Sequence, residues 1–458
     1  MLEKQAFFGQ ANLAVRRNMI IYGMFPFRGG RIMKVIVAGG GWAGCASAYA
    51  AKMAGAEVVL LERTDMLLGT GLVGGIMRNN GRFTALEEAG ALGGEELVRL
   101  IDSVARHKSV DFPGHKHALL YDVTKIELAM RRFLTRCGVE VRLQCRATEV
   151  FVSAGYIKGI VTSGNDVIRG DAFVDATGTA GPAKNCTRFG TGCAMCILRC
   201  PTFGPRVSLA AKAGLPEITA GHDFPSFEAM SGSCKLDKNS LDQHLVQKLE
   251  QDGVLIIPLP PKMHKVDLLS SKACQQYALE EYARNLVILD TGHAKLMTPF
   301  FPLDVLRSLP GFTNARYADP YSGGRGNSVR FMAMCHCDDT LQVKGVHNLF
   351  CAGEKTGPLV GHTEAIITGL LAGHNAVRLL AGKEPLVLPV ELAAGDIIAF
   401  MHANMQEEGM TKKYTFSGSV YFERMKQKGL YTTDTASIRE RVRRTGLSRI
   451  FAKRIVNH

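Results

Sequence analysis

No stretch of this 458-residue chain approaches the ~18–20 consecutive apolar residues that a helix needs to cross a bilayer. The first 32 residues carry Arg16, Arg17, Arg28 and Arg31 but lack a continuous apolar segment ahead of a small-residue cleavage site, so no secretory signal is expected. No repeat of fixed period is present, which excludes a solenoid built from sequence modules. Compositional extremes are lacking too: 46% of residues are hydrophobic and 21% charged, ordinary values for a globular protein. A chain of this length is expected to fold as two or three structural units, here in the cytoplasm.

The net charge of +13 is concentrated at the two ends. Residues 1–33 hold five Lys/Arg against one acid, and residues 401–458 hold twelve against five. The 367 residues between them contribute only +2. Basic segments of this kind either neutralise nucleic-acid phosphates or simply keep a surface solvated. Twelve cysteines without an export signal read as thiols, metal ligands or redox groups rather than disulfides.

The most informative stretch begins with the apolar run Lys34–Ala38, a short buried strand, followed by a helix predicted over Ala43–Ala54. Gly39, Gly41 and Gly44 stand at their junction in G-x-G-x-x-G spacing, around Trp42 and Ala43. The first glycine permits a tight turn, the second lets backbone approach a pyrophosphate, and the third lets the helix pack close to the strand. The helix N-terminus adds N–H donors and positive potential. Glu62 ends a second strand, Glu57–Leu61, at the ~20-residue distance where an acid binds a ribose hydroxyl.

Beyond this unit, helical periodicity covers Glu87–Arg106 and Asp122–Arg136, the latter capped by Gly138. Short alternating runs at Glu140–Leu143, Thr148–Val152 and Tyr156–Val161 predict antiparallel strands. Ala172–Asp175 predicts another buried strand, and Leu349–Ala352 with a helix over Thr363–Leu380 returns to the style of the first unit. The fold expected is α/β. A Rossmann-like, glutathione-reductase-type FAD-binding domain (33–182 and 341–385) carries an inserted α+β substrate domain (183–340), a basic helical tail (386–458) and a poorly ordered N-terminal extension (1–32).

Three segments favour FAD over a nicotinamide cofactor. Glu62 is followed by Arg63 and by a glycine-rich loop starting at Gly69, as when flavin lies over the next turn. Ala176-Thr177-Gly178 closes a strand after the antiparallel inset, a layout resembling glutathione-reductase-type domains. Gly353-Glu354 precedes a helix opening at Gly361-His362-Thr363, which would aim its positive end at the flavin and stabilise the reduced ring.

The C-terminal blocks Leu306–Ala315, Asn348–Gly357, Gly361–Ala365 and Gly369–Ala376 resemble, as a set, the glucose-inhibited division protein A superfamily of flavoproteins. That family includes enzymes modifying the tRNA wobble uridine and a folate-dependent tRNA uracil methyltransferase. The resemblance implies FAD held by Gly39, Gly41, Gly44, Glu62 and the Gly353-Glu354 turn, and RNA as a substrate. The family pattern has tyrosine where His362 stands, and the methyltransferase's catalytic cysteine motif has no counterpart here.

Cys186, Cys193, Cys196 and Cys200, with Pro201 after them, form C-x6-C-x2-C-x3-C-P. Its latter part resembles a ferredoxin signature and points to a 4Fe-4S cluster, with structural zinc as the alternative. A third option is a Cys193/Cys196 dithiol exchanging electrons with flavin. His362 and Glu364, at the start of the flavin-facing helix, are candidate proton-transfer groups. His115 and His117 read as surface loop residues. The leading expectation is an FAD-dependent oxidoreductase, a homo-oligomer passing electrons to a small-molecule substrate or a partner carrier. The alternative is a tRNA uridine-modifying flavoenzyme gripping RNA with its basic ends.

Overall fold

The computed structural model describes residues 32–179, 200–219, 228–231, 233–264, 275–298, 301–318, 328–331, 333–405 and 413–456. Along the chain, β1 (Lys34–Ala38), α1 (Trp42–Met53) and β2 (Glu57–Leu61) form the first unit. Next come α2 (Gly81–Ala89), α3 (Glu95–Ser103), β3 (Ala105–Phe112), β4 (His115–Tyr121), α4 (Ile126–Arg136) and β5 (Glu140–Arg142). The strands β6 (Ala147–Ser153), β7 (Tyr156–Thr162) and β8 (Val167–Arg169) make a small antiparallel sheet, and β9 (Ala172–Asp175) follows. A second region holds β10 (Cys234–Leu236), α5 (Gln243–Asp252), β11 (Val254–Pro258), β12 (Asn285–Asp290) and β13 (Ala294–Leu296). The chain then returns through β14 (Leu349–Cys351), α6 (His362–Leu380), α7 (Ala393–Asn404), α8 (Ser419–Gln427) and α9 (Thr435–Arg444).

The central sheet is parallel, in the order β14-β9-β1-β2-β5. Its strands read as near-continuous apolar runs because both faces are covered. Val35, Val37, Val58, Leu60, Val174 and Phe350 point into the core shared with α1 and α6. Ile36, Ala38, Val59, Leu61, Phe173 and Leu349 point to the opposite face, against Ile157, Ile160 and Ile168 of the small sheet. The chain moves outward from β1 in both directions, so the switch in strand order lies at the carboxyl end of β1, where open α/β sheets bind ligands. A four-stranded antiparallel sheet, β10-β13-β12-β11, has a separate core with Leu286, Ile288, Leu296 and Phe312.

Three local expectations need correcting. Helix does not run through Glu87–Arg106: it breaks at Gly93, whose φ of +120° and contact with the 451–452 backbone leave no space for a side chain, and β3 begins at Ala105. Glu140–Arg142 is not antiparallel, because α4 carries the chain back to the same edge and β5 pairs parallel with β2. His115 is buried within β4 rather than in a surface loop. Its ring lies 3.0 Å from Asn79 Nδ2 at Nδ1 and 3.2 Å from the Gln276 carbonyl at Nε2. Burial, with Arg82 nearby, lowers its pKa to about 3, so it is neutral.

The helices after residue 386 pack into the first core through Leu392, Ile397, Met401, Tyr421, Val442 and Phe451. Two buried acids fix them. Glu88 accepts from the N–H groups of Ala393 (3.1 Å) and Ala394 (2.9 Å), capping α7. Asp396 takes Arg424 in a two-pronged pair at 2.8 Å and Lys428 at 2.6 Å. Among the described residues, no helix is long and apolar enough to cross a membrane.

Among the described residues, one buried histidine of α6 is left uncompensated at both ring nitrogens. His374 on α6 is fully buried edge-on to Phe451, and neither ring nitrogen has a hydrogen-bond partner. Burial lowers its pKa from 6.5 to about 3. His374→Leu should therefore raise stability at pH 7 by about 1–3 kcal/mol, read as a higher urea midpoint at unchanged slope. The unfolded chain takes up a proton below pH 6.5 that the folded chain refuses, so the wild type should lose stability as pH falls from 6.5 towards 3. The leucine variant should lose less over that window. A variant less stable than wild type at both pH 7 and pH 5 would contradict this reading.

Candidate functional site

At the carboxyl end of β1 the chain turns into α1 with almost no side chains in the way. Gly39 has φ +100°, and a Cβ there would lie 2.4 Å from the Ala176 carbonyl oxygen. A Cβ on Gly44 would lie 1.8 Å from the Gly39 carbonyl oxygen, so only glycine lets α1 start this close to β1. Gly41 differs: nothing lies within 4 Å of where its Cβ would be. No side chain caps α1. The first-turn amides, at Trp42, Ala43 and Gly44, therefore point as open donors into the space beside Gly41. Together they suit an anion approaching along the backbone.

Glu62 closes one side of this turn. Its two carboxylate oxygens accept from the N–H groups of Gly40 and Thr64, each at 2.8 Å. Each oxygen keeps a second lone pair for a hydroxyl donor. Arg63 leaves the turn and donates to the Gly204 carbonyl. Beside that contact is a cleft of about 430 Å³, lined in part by Arg146, Arg206, Lys212 and Glu217.

The ends of β9 and β14 complete the rim. Asp175, fully buried, accepts from Thr177 N–H (3.1 Å), Thr177 Oγ1 (2.6 Å) and Leu209 N–H (2.8 Å). It thereby fixes the Ala176-Thr177-Gly178 turn, and Gly178 faces open space. Gly353 donates its N–H to Thr368 Oγ1 at 2.9 Å, and a Cβ on it would sit 2.9 Å from that of Ala43. The Gly353 turn is thus packed against the first turn of α1 at the carboxyl end of the sheet. Glu354 bonds to Thr179 Oγ1 and pairs with Lys413 at 3.1 Å.

The start of α6 divides the expected catalytic residues. His362 Nδ1 lies 3.4 Å from Tyr121 Oη, and its ring packs 6.2 Å from Trp42. It sits under the Gly71–Gly75 turn, where a Cβ on Gly74 would strike the imidazole. Gly69, just ahead, faces open space. Thr363 is buried against Met77. Glu364 does not suit proton transfer. It is buried against Arg82 at 3.2 Å and accepts from Thr415 Oγ1 (2.7 Å) and Phe416 N–H (2.8 Å). Gly361 is forced by the same pair, since a Cβ there would lie 2.0 Å from Glu364 Oε2. Glu364 therefore holds the 415–417 segment onto the site.

Cys186, Cys193 and Cys196 lie outside the described residues, as does the side chain of Cys200. Among the described residues, no group of His, Cys, Asp or Glu is arranged to hold a metal ion. Four residues of the site, Arg82, Tyr121, Lys355 and Lys413, are not among those the sequence singles out. Lys355 is fully buried between Glu217, Ser208 Oγ (3.1 Å) and the Ala333 carbonyl (3.3 Å). Burial works to lower its pKa, but Asp175, Cys335 and Glu217 raise it on balance, so it is charged. Lys413 carries only the signal of a basic segment, and nothing in its local pattern places it against Glu354.

This arrangement agrees with comparisons to known proteins. The family model described as glucose inhibited division protein A matches residues 34–285 and 263–384. The tRNA uridine 5-carboxymethylaminomethyl modification enzyme MnmG of Alkaliphilus oremlandii is 24% identical, over 80% of this chain and 64% of its own length. The methylenetetrahydrofolate–tRNA-(uracil-5-)-methyltransferase TrmFO of Bacillus cytotoxicus is 39% identical over 101 residues, 21% of this chain and 22% of its own. This chain thus spans less than two thirds of either relative. Among solved structures, the GidA of Aquifex aeolicus (form II crystal) superposes with a TM-score of 0.67 at 19% identity, covering 93% of this chain and 74% of that one. A family match across most of the chain identifies this protein as a member of the glucose-inhibited division protein A family.

Proposed function

We propose that this protein is an FAD-dependent enzyme that modifies a uridine in tRNA. The observation that carries the proposal is the cradle at Gly39–Gly44, open at Gly41 and lined by uncapped amides, in a chain of this family. The residues present fit the cofactor. The α1 amides and the Gly40-Gly41 backbone would hold the pyrophosphate, and Glu62 a ribose hydroxyl. The Thr177-Gly178 and Gly353-Glu354 turns would line the flavin end. Bound FAD supplies hydride and electron transfer.

The chain's own groups shape the rest. Trp42, Tyr121 and His362 form an aromatic wall beside the start of α6, whose dipole favours negative charge there. His362 is the group placed to hold or deliver a proton, with Tyr121 Oη orienting its Nδ1 side. Lys413, paired to Glu354, adds a buried cation at the same rim. A tRNA substrate is supported by the names of the two relatives above and by an exposed basic face. Arg439, Arg443 and Arg444 on α9 and Arg449, Lys453 and Arg454 after it are all exposed, with only Glu440 interspersed. The proposal makes no use of a cysteine relay through Cys186, Cys193, Cys196 and Cys200, so a tRNA substrate is preferred to a small electron carrier.

Gly41→Val should weaken FAD binding at least tenfold, about 1.4 kcal/mol, with the circular-dichroism spectrum unchanged, because its side chain enters the open space beside the α1 amides. Equal FAD affinity would remove the cradle from the account. The activity is tested by nucleoside mass spectrometry of tRNA from cells lacking the gene. One uridine modification should be missing, restored by the wild type and not by Gly41→Val. An unchanged nucleoside profile would overturn the tRNA reading while leaving the flavin reading intact. Replacing Arg443 and Arg444 with alanine should make tRNA binding less sensitive to salt, by about one unit of slope for each phosphate no longer neutralised.

A further inference from the structure

On the far side of β14 from the glycine turn, four residues the proposed function does not use come together. His402, on α7, sits with Nδ1 2.7 Å from Asp339 Oδ1. A carboxylate can only accept, so Nδ1 carries a proton, which leaves Nε2 as the ring atom that can exchange one with the thiol. Nε2 lies 3.4 Å from Cys337 Sγ. Both Nε2 and Sγ are within reach of the Thr356 carbonyl, at 3.2 and 3.3 Å. That carbonyl accepts from the thiol when Cys337 is protonated and from the imidazolium when the proton has moved to Nε2. Cys337 shares its apolar cluster with Cys351, the last residue of β14.

We propose that Cys337 is a nucleophilic thiol, activated by the His402–Asp339 pair, that reduces a hydroperoxide and then closes a disulfide with Cys351. Cys337 is only 8% exposed, so its oxidant must be small, and a hydroperoxide is the smallest common electrophile for a thiolate. In the first step His402 Nε2 takes the thiol proton and Sγ attacks one peroxide oxygen. The O–O bond breaks, and the departing oxygen takes the proton from His402, leaving Cys337 as sulfenic acid. In the second step the Cys351 sulfur attacks Cys337 Sγ, the S–O bond breaks, and water leaves with the Cys351 proton. Two thiols and one molecule of hydrogen peroxide become one disulfide and two molecules of water. Contact with Cys351 and burial raise the pKa of Cys335, and burial raises that of Cys351, so neither of these two thiols is the one that meets the peroxide first. Asp339 is held below its usual carboxylate range by its bond to His402, which keeps it charged and able to orient the ring.

The experiment uses the full chain, reduced and then exposed to hydrogen peroxide, with site-resolved mass spectrometry. Wild type should accumulate a Cys337–Cys351 disulfide. Cys351→Ala should instead trap sulfenic acid at Cys337 as its dimedone adduct, and Cys337→Ser should give neither product. Asp339→Asn and His402→Gln should slow Cys337 oxidation at least tenfold while leaving oxidation of Cys137 and Cys145, half-exposed thiols without such a pair, unchanged. Asp339 is 40% exposed at its side chain, so its substitution leaves the core intact. Oxidation of Cys337 no faster than that of Cys137, or equal rates in wild type and Asp339→Asn, would overturn the proposal. Neither outcome depends on bound flavin.

Discussion

The architecture depends on how closely α1 approaches the elements around it. Gly44 brings the helix onto the Gly39 carbonyl, and Gly369 and Gly373 bring α6 onto α1, where a Cβ would lie 2.3 Å from the Ala43 oxygen and 2.1 Å from the Ser47 oxygen. Small residues on α1, among them Cys45, Ala46 and Ala50, fill the remaining space. Two long helices and three strand ends are thereby drawn to a common point. Most polar backbone groups there are satisfied internally, but the first turn of α1 is not capped by any side chain. The same omission of side chains that permits the packing leaves a backbone-lined recess, and that recess is where a dinucleotide would lie.

Around this point, buried acids act as fasteners. Asp175 ties the β9 turn to the 208–212 segment, Glu364 ties α6 to Thr415 and Phe416, and Glu88 ties α2 to α7. Each links segments far apart along the chain. Each carboxylate spends its lone pairs on backbone N–H groups, hydroxyls or a guanidinium, which compensates the cost of burying charge. The C-terminal helices are in this way built into the first core through Leu392, Tyr421 and Phe451, leaving the basic face of α9 outward.

Much of this is legible in the sequence because it is local. The glycine spacing at residues 39–44, the acid at 62 and the strand–turn–helix at 349–380 are short-range patterns, and the turns they encode meet because a parallel sheet aligns its strand ends. What escapes is set by distance along the chain. Arg82 and Glu364 are 282 residues apart, and Lys413 reaches Glu354 across 59, so no local period announces either pair. Glu364 is readable as a helix-start acid, but its engagement by Arg82, Thr415 and Phe416 is evident only in three dimensions. His115 has the neighbours of a loop residue, Gly114 before it and Lys116 and His117 after, although the β3–β4 hairpin turns its ring inward. The direction of edge strand β5 is hidden for a related reason: three residues carry no signal of pairing direction, which the preceding helix decides.

The central claim is that the recess beside Gly41 receives a flavin dinucleotide. The most direct measurement is the visible absorption spectrum of folded full-length protein after incubation with FAD and removal of the excess. The account predicts a bound flavin at one equivalent per chain, with bands shifted from those of free FAD. Folded protein that emerges colourless, with all added FAD recovered in the filtrate, would contradict it.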